Sequence, residues 1–78
     1  MLQELLLCLA RNLVNNPESV SVEVSTKEDG TVLYELRVAE GEMGRVIGKQ
    51  GRIAKAIRSV MKAAATRAGE KIQVDIVE

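Results

Sequence analysis

Residues 45–53 of the 78-residue chain read Arg45-Val46-Ile47-Gly48-Lys49-Gln50-Gly51-Arg52-Ile53, and they carry its most informative motif. Two glycines enclose Lys49 and Gln50 between two segments of helical pattern. Glycine lets the backbone approach a ligand without interference from a Cβ, and free N–H groups at the start of the following helix favour an anion. The stretch therefore predicts a helix–loop–helix unit whose loop meets a polyanion backbone. The alternative is a tight connection with an incidental lysine.

The same stretch does not fit the P-loop of nucleoside triphosphatases. That motif needs Gly-x4-Gly-Lys-Ser/Thr after a strand. Gly44 and Gly48 enclose three residues instead of four, and Gln50 stands where the magnesium-binding hydroxyl belongs. We therefore do not expect hydrolysis of nucleoside triphosphates.

A long helix is predicted after the loop, from Arg52 to about Ala68, with Gly69 as its C-terminal cap. At 100° per residue, one face of this helix is apolar and the opposite face is purely basic. The predicted core face contains Ile53, Ile57, Val60, Met61, Ala64 and Ala68. The basic face contains Arg52, Lys55, Arg58 and Lys62. Such a face is often only solvated surface, and its last two cations lie far enough from the loop that we expect them to steer an anion at most.

Charge is divided unevenly along the chain, although eleven basic and eleven acidic residues balance overall. Residues 1–42 contain eight acids and three basic residues, whereas residues 43–69 contain seven basic residues and no acid. Residues 70–78 are again acidic on balance. Because the local charge decides where an anion docks, residues 43–69 are the predicted anion-binding segment.

The remaining segments predict an α+β fold. A leucine-rich helix is expected over residues 2–15, and alternating apolar residues predict strands over 20–25, 32–38 and 72–77. Asp29-Gly30 predicts a two-residue type I′ hairpin turn between the first two strands. With a short helical turn at residues 43–47, the order becomes α-β-β-α-α-β. It predicts a three-stranded mixed sheet packed against helices, in one domain spanning residues 1–78.

A second apolar stripe on the first helix allows two interpretations. Leu7, Ala10 and Val14 lie to one side of the main leucine stripe. They either widen the buried face or contact a partner protein.

Composition excludes several classes of function. The chain has no His, Trp or Phe and a single Cys, so it lacks the ligands of a structural zinc site and the usual general base for nucleophilic catalysis. Glu40 and Glu42 are paired carboxylates, but we expect them to be solvated loop acids. We predict a non-enzymatic chain without metal or cofactor. Without a membrane-spanning or export signal, and with one Cys, it is expected in the cytoplasm.

Residues 46–53 resemble the Val-Ile-Gly-x-x-Gly-x-x-Ile signature of KH domains, with Ile53 one place early. The helix-first order is similar to the bacterial, type II topology of that family. The leucine-rich first helix, the Asn-Pro turn at residues 16–17 and the alanine-rich long helix extend the likeness over the whole chain. Within the type II domains, the chain resembles the small stand-alone KhpA family of bacteria.

This resemblance implies binding of single-stranded RNA, for which the absence of aromatic stacking platforms is natural. In KH domains a Gly-x-x-Gly loop grips the sugar-phosphate backbone of about four nucleotides. That role falls on Gly48, Lys49, Gln50 and Gly51. Bases lie in an aliphatic groove, for which Val46 and Ile47 match the motif and Ile53 matches it more loosely. To these residues the charge pattern adds Arg45, Arg52 and Lys55.

The resemblance further implies a post-transcriptional regulator or RNA chaperone. Partners would be a second copy of the chain, or a larger KH-containing protein (KhpB). The alternative is a protein-interaction adaptor that acts through such pairing. Single-stranded RNA and single-stranded DNA, of any base sequence, are equally compatible with these residues.

Overall fold

The computed structural model describes residues 2–77. In chain order its elements are α1 (Leu2–Arg11), β1 (Ser21–Thr26), β2 (Val32–Arg37), α2 (Met43–Ile47), α3 (Arg52–Ala68) and β3 (Ile72–Val77). Single 3₁₀ turns lie at Pro17–Ser19 and Lys49–Gly51. The predicted α-β-β-α-α-β order is confirmed.

The sheet has the order β1-β2-β3, with β1 antiparallel and β3 parallel to β2. The predicted mixed sheet is confirmed: the hairpin produces the antiparallel pair, and the helical crossover makes β3 parallel to one of the two hairpin strands, which is β2. Gly69 ends α3 in a left-handed conformation, and the N–H of Glu70 donates to Ala65 O at 2.8 Å. This C-terminal cap turns the chain directly into β3.

The core lies between the sheet and the helices α1 and α3. Its fully buried large side chains are Leu6, Leu36, Val46 and Met61. On α3 the buried residues are Ala54, Ile57, Met61 and Ala65, so the predicted core face is rotated, and Val60 is 44% exposed. Alanines at 54 and 65 have no side chain beyond Cβ, so that part of the helix backbone can lie closest to its neighbours.

Helix α1 ends four residues earlier than predicted. The side-chain amide of Asn12 donates to Cys8 O at 2.7 Å, while the backbone N–H of Asn12 reaches the same oxygen only at 3.4 Å. The next N–H, from Leu13, donates to Ala10 O in a tighter turn. An asparagine side chain that takes over a helical acceptor competes with the helix, and it ends α1 at Arg11.

The second stripe of α1 belongs to the buried face. Ala10 is 0% exposed, while Leu7 and Val14 are half-buried against the core. The stripe thus widens the contact between α1 and the rest of the domain.

The hairpin turn differs from the predicted type I′ turn. Gly30 N–H donates to Lys27 O, and Lys27 N–H donates to Thr31 O. Gly30 has φ +90°, whereas Asp29 does not have a positive φ. Lys27 and Thr31 therefore close a three-residue loop, residues 28–30, whose last residue is the left-handed glycine, and such loops are among the next most common hairpin connections. Asp29 accepts the N–H of Thr31 at 2.9 Å instead of entering the left-handed region itself.

Candidate nucleic-acid interface

The segment Gly48–Gly51, which we call the GxxG loop, leaves α2 through a conformation that only glycine adopts easily. Gly48 has φ +75° and ψ 177°, a region that is essentially closed to other residues. A Cβ on Gly48 would lie 2.6 Å from Cγ1 of Ile53. Ile53 therefore packs directly on the Gly48 backbone and fixes how α3 leaves the loop.

The middle of the GxxG loop presents backbone donors to solvent. Gln50 and Gly51 are both left-handed, with φ +56° and +74°. Gly51 N–H donates to Gly48 O and Arg52 N–H donates to Lys49 O. Within residues 2–77, the N–H groups of Lys49 and Gln50 have no hydrogen-bond partner. Both residues are exposed, so two adjacent donors stand at the start of a 17-residue helix.

Four exposed cations surround these donors. Arg45 belongs to α2, Lys49 to the GxxG loop, and Arg52 and Lys55 to the first turn of α3. Within residues 2–77 none of these four cations forms an ion pair. The ion pair between Arg37 and Glu23, at 3.5 Å, lies on the sheet. The cations, the helix dipole and the unpaired N–H groups all favour an anion at the same place.

The three aliphatic residues of the motif have different environments. Val46 is 0% exposed and belongs to the core, whereas Ile47 and Ile53 are half-buried. Val46 thus anchors α2 beneath the GxxG loop and offers no side-chain surface to a ligand. Ile47 and Ile53 keep part of their surface accessible.

A groove of about 820 Å³ lies between α3 and β3. Its lining residues are Lys27, Asp29, Thr31, Lys55, Arg58, Ser59, Lys62, Lys71, Ile72, Gln73, Val74 and Asp75. Lys55 links this groove to the cations around the GxxG loop. Arg58 Nε donates to Val74 O at 3.1 Å, on the free edge of β3. The groove combines two apolar residues of β3 with five cations.

Arg58 and Lys62 were expected to steer an anion at most, and the structure places both in the wall of the groove. Their spacing from Lys55, three and seven residues, puts all three on one helix face. The strand at residues 72–77 was predicted, but its position opposite this face was not.

Glu42 was expected to be solvated, and that prediction is wrong. The residue is 7% exposed, whereas Glu40 is exposed as predicted. Glu42 Oε1 accepts the N–H of Asn15 at 2.8 Å, and Glu42 O accepts the N–H of Arg45 at 3.0 Å. Its Oε2 is buried without a partner. Glu42 therefore ties the segment after α1 to the start of α2, immediately before the GxxG loop.

Replacing Glu42 with alanine is expected to lower the free energy of unfolding by about 1–3 kcal/mol, because the N–H of Asn15 would lose its acceptor in a partly buried place. Glu42→Gln keeps an acceptor oxygen at that position and is expected to lower the free energy of unfolding by a smaller amount. Urea unfolding measures both changes. Glu40→Ala is the matched control and should stay within about 0.5 kcal/mol of the wild type. Equal costs at positions 40 and 42 would contradict the assigned role.

Metal sites and membrane-spanning helices are absent from residues 2–77. The structure brings no three His, Cys, Asp or Glu side chains together as metal ligands in this range. Over the same residues, no helix combines the length and hydropathy needed to cross a bilayer.

The fold and the loop together define the class of the protein. A helix-first α-β-β-α-α-β chain with a Gly-x-x-Gly connection between α2 and α3 is a KH domain of the type II order. The family model described as KhpA/KhpB, KH domain, matches residues 3–76. The chain belongs to this family.

Individual relatives match over the same length. The RNA-binding protein KhpA of Clostridium perfringens is 49% identical over 97% of this chain and 100% of its own. The KhpA proteins of Listeria monocytogenes (43% identity, 99% of this chain and 100% of theirs) and Chlamydia trachomatis (39%, 99% and 97%) are similar to it. A solved structure of Era in complex with MgGDPNP and nucleotides 1506–1542 of 16S ribosomal RNA aligns with 96% of this chain and 28% of Era. Its TM-score is 0.61 at 20% identity, a likeness of fold.

Proposed function

We propose that this protein binds single-stranded RNA and grips its sugar-phosphate backbone with the GxxG loop. The observation that carries the proposal is the pair of unpartnered N–H groups of Lys49 and Gln50 among four exposed cations. Backbone donors at a helix N-terminus bind phosphate oxygens, and the glycines let the strand come close. Membership of the KhpA/KhpB family, whose relatives are named RNA-binding proteins, supports the same ligand.

The bases, in this proposal, lie on aliphatic surface. Ile47 and Ile53 offer the accessible part of their side chains beside the GxxG loop, and Ile72 and Val74 line the groove between α3 and β3. Val46 holds α2 in place from below. Single-stranded RNA exposes its unstacked bases to such contacts, whereas a duplex hides them.

The proposed role is non-catalytic. Binding by backbone donors and cations needs neither a reacting group nor a cofactor. We propose that the chain acts in the cytoplasm as a post-transcriptional regulator or RNA chaperone.

Binding to a mixed-sequence single-stranded RNA should weaken steeply with salt. If two to four phosphates are neutralised, log K against log salt should fall with a slope of about −1.4 to −2.8. Fluorescence anisotropy at several salt concentrations measures this slope. The same sequence as a duplex is the matched control and should bind more weakly. An affinity that does not depend on salt would contradict the phosphate grip.

Pairing with another KH protein is the second part of the proposal. The partner would be a second copy of the chain or a larger KH-containing protein, KhpB, whose KH domain is described by the same family model as this chain. A domain of this size buries a modest share of its surface and gains stability from association. In the alternative adaptor function, pairing is the activity and the GxxG loop is dispensable.

A further inference from the structure

The groove between α3 and β3 has a second cationic end, remote from the GxxG loop. Residues Gly69–Lys71 alone join α3 to β3, so the C-terminal part of α3 lies beside the first residues of β3. Lys62 of α3, Lys71 before β3 and Lys27 of the hairpin loop line this end, and we call these three residues the distal cluster. Lys62 follows Gly51 by 11 residues, which corresponds to about 16 Å along a helix.

The charge of the distal cluster is only partly compensated. Asp29 lines the same groove. Hydrogen bonds from the backbone and side chain of Thr31, with Lys71 and Lys27 nearby, hold the pKa of Asp29 below its usual range. Two carboxylates, of Asp29 and Asp75, therefore line the groove together with five cations, three of which form the distal cluster. Lys27 Nζ donates to the side-chain oxygen of Gln73, whereas the ammonium groups of Lys62 and Lys71 have no hydrogen-bond or ion-pair partner within residues 2–77.

The two cationic ends belong to one continuous surface. Lys55 and Arg58 line the groove between them, at intervals of one helical turn. Ile72 and Val74 also line this passage, although both belong to the core and expose 9% and 5% of their surface. Because the cations recur along α3 at intervals of one helical turn, a ligand that fits them is an extended chain with regularly repeated negative charges, such as a single polynucleotide strand.

We propose that the distal cluster binds phosphates of the same RNA strand that the GxxG loop holds, so that the strand runs along α3. This inference rests on the proposed function and lengthens the stretch of RNA that the protein contacts. An unstacked strand spans more than the 3.4 Å per nucleotide of a stacked one, so the 16 Å between the two ends corresponds to at most about five nucleotides. With about four nucleotides at the loop, a strand of ten reaches both ends, whereas a tetranucleotide held at the loop does not reach the distal cluster.

The test compares a 4-nucleotide with a 10-nucleotide RNA of mixed sequence, using the double variant Lys62→Gln with Lys71→Gln. Each phosphate contact is worth about fourfold in affinity at 0.15 M salt. The variant is expected to bind the 4-mer like the wild type and to lose roughly tenfold in affinity for the 10-mer. Its salt slope for the 10-mer should be shallower by about 1.4. Titrations followed by amide chemical shifts measure both RNAs, including weak binding of the 4-mer.

The matched control is Arg11→Gln with Arg67→Gln, which removes the same charge outside the groove and the GxxG loop. It should retain the affinity for the 10-mer. Equal losses in the two variants, or equal losses for the two RNAs, would overturn the distal contact in favour of a general charge effect. Unchanged 10-mer binding by the Lys62/Lys71 variant would overturn this inference alone. Failure of the wild type to bind either RNA would overturn the proposed function, and this inference with it.

An acidic peptide is the competing occupant of the distal cluster. Ten-residue polyglutamate should bind wild type and the Lys62/Lys71 variant equally weakly. Binding of this peptide that requires Lys62 and Lys71, with 10-mer RNA binding that does not, would reassign the cluster to a protein partner.

Discussion

Changing Lys49 and Gln50 together to aspartate is expected to weaken binding of single-stranded RNA by roughly fiftyfold or more, because the charge of the GxxG loop falls by about three. The new carboxylates would stand beside the two N–H groups that meet phosphate in the proposed complex. The fold should survive, because both side chains are exposed and aspartate tolerates the left-handed conformation of position 50. We expect the melting temperature to change by a few degrees at most.

Anisotropy measures the affinity of this variant, and thermal unfolding followed by circular dichroism measures its stability. The matched control is Arg11→Asp with Asn16→Asp, which changes the charge equally at two exposed residues outside the GxxG loop. Equal weakening by both variants would mean that the total charge, and not the loop, attracts RNA. A double variant that loses RNA binding but replaces the wild type fully in cells would favour the adaptor function.

The sequence predicted the fold well where periodicity and glycine act locally. Alternating valines in β1, the helical pattern of α3 and the left-handed Gly69 each depend on a few neighbouring residues, and each lies where it was predicted. That β3 is parallel to one of the hairpin strands followed from its helical crossover connection, whereas the choice of β2 as its neighbour is seen in the structure. The GxxG loop was identified at the correct junction of two helices, because its two glycines interrupt one basic, alanine-rich segment.

The sequence could not show contacts that depend on distant residues. Glu42 is buried because the segment after α1 brings an N–H to it from 27 positions away. Arg58 and Lys62 become part of a groove only when β3 lies opposite them. The early end of α1 depends on the hydrogen bond from the Asn12 side chain to Cys8 O. The helical periodicity of the sequence does not indicate this bond.

Gly48→Ala is expected to have the largest effect on stability of the changes considered, about 2–5 kcal/mol. Two costs add: backbone strain at φ +75°, ψ 177°, and overpacking against Ile53, whose three nearest carbons would lie 2.6–2.9 Å from the new Cβ. A chain of this length has a total stability of roughly 4–12 kcal/mol. The alanine variant should therefore be largely unfolded or much less stable, although the replaced residue is not part of the core.

Gly51→Ala separates the two costs. Gly51 is also left-handed, at φ +74°, but a Cβ there has open space around it, so only the strain of about 1–2 kcal/mol applies. Because the overpacking at position 48 comes from Ile53, Gly48→Ala should lower the free energy of unfolding by less in an Ile53→Ala background.

Urea unfolding of the four proteins of this double-mutant cycle gives the coupling energy between positions 48 and 53, for which we expect about 1 kcal/mol or more. Equal costs at positions 48 and 51 without coupling would show that conformation alone demands both glycines. A measured coupling would show that the close contact between Gly48 and Ile53 fixes the direction in which α3 leaves the GxxG loop, and with it the place of the Lys49 and Gln50 donors.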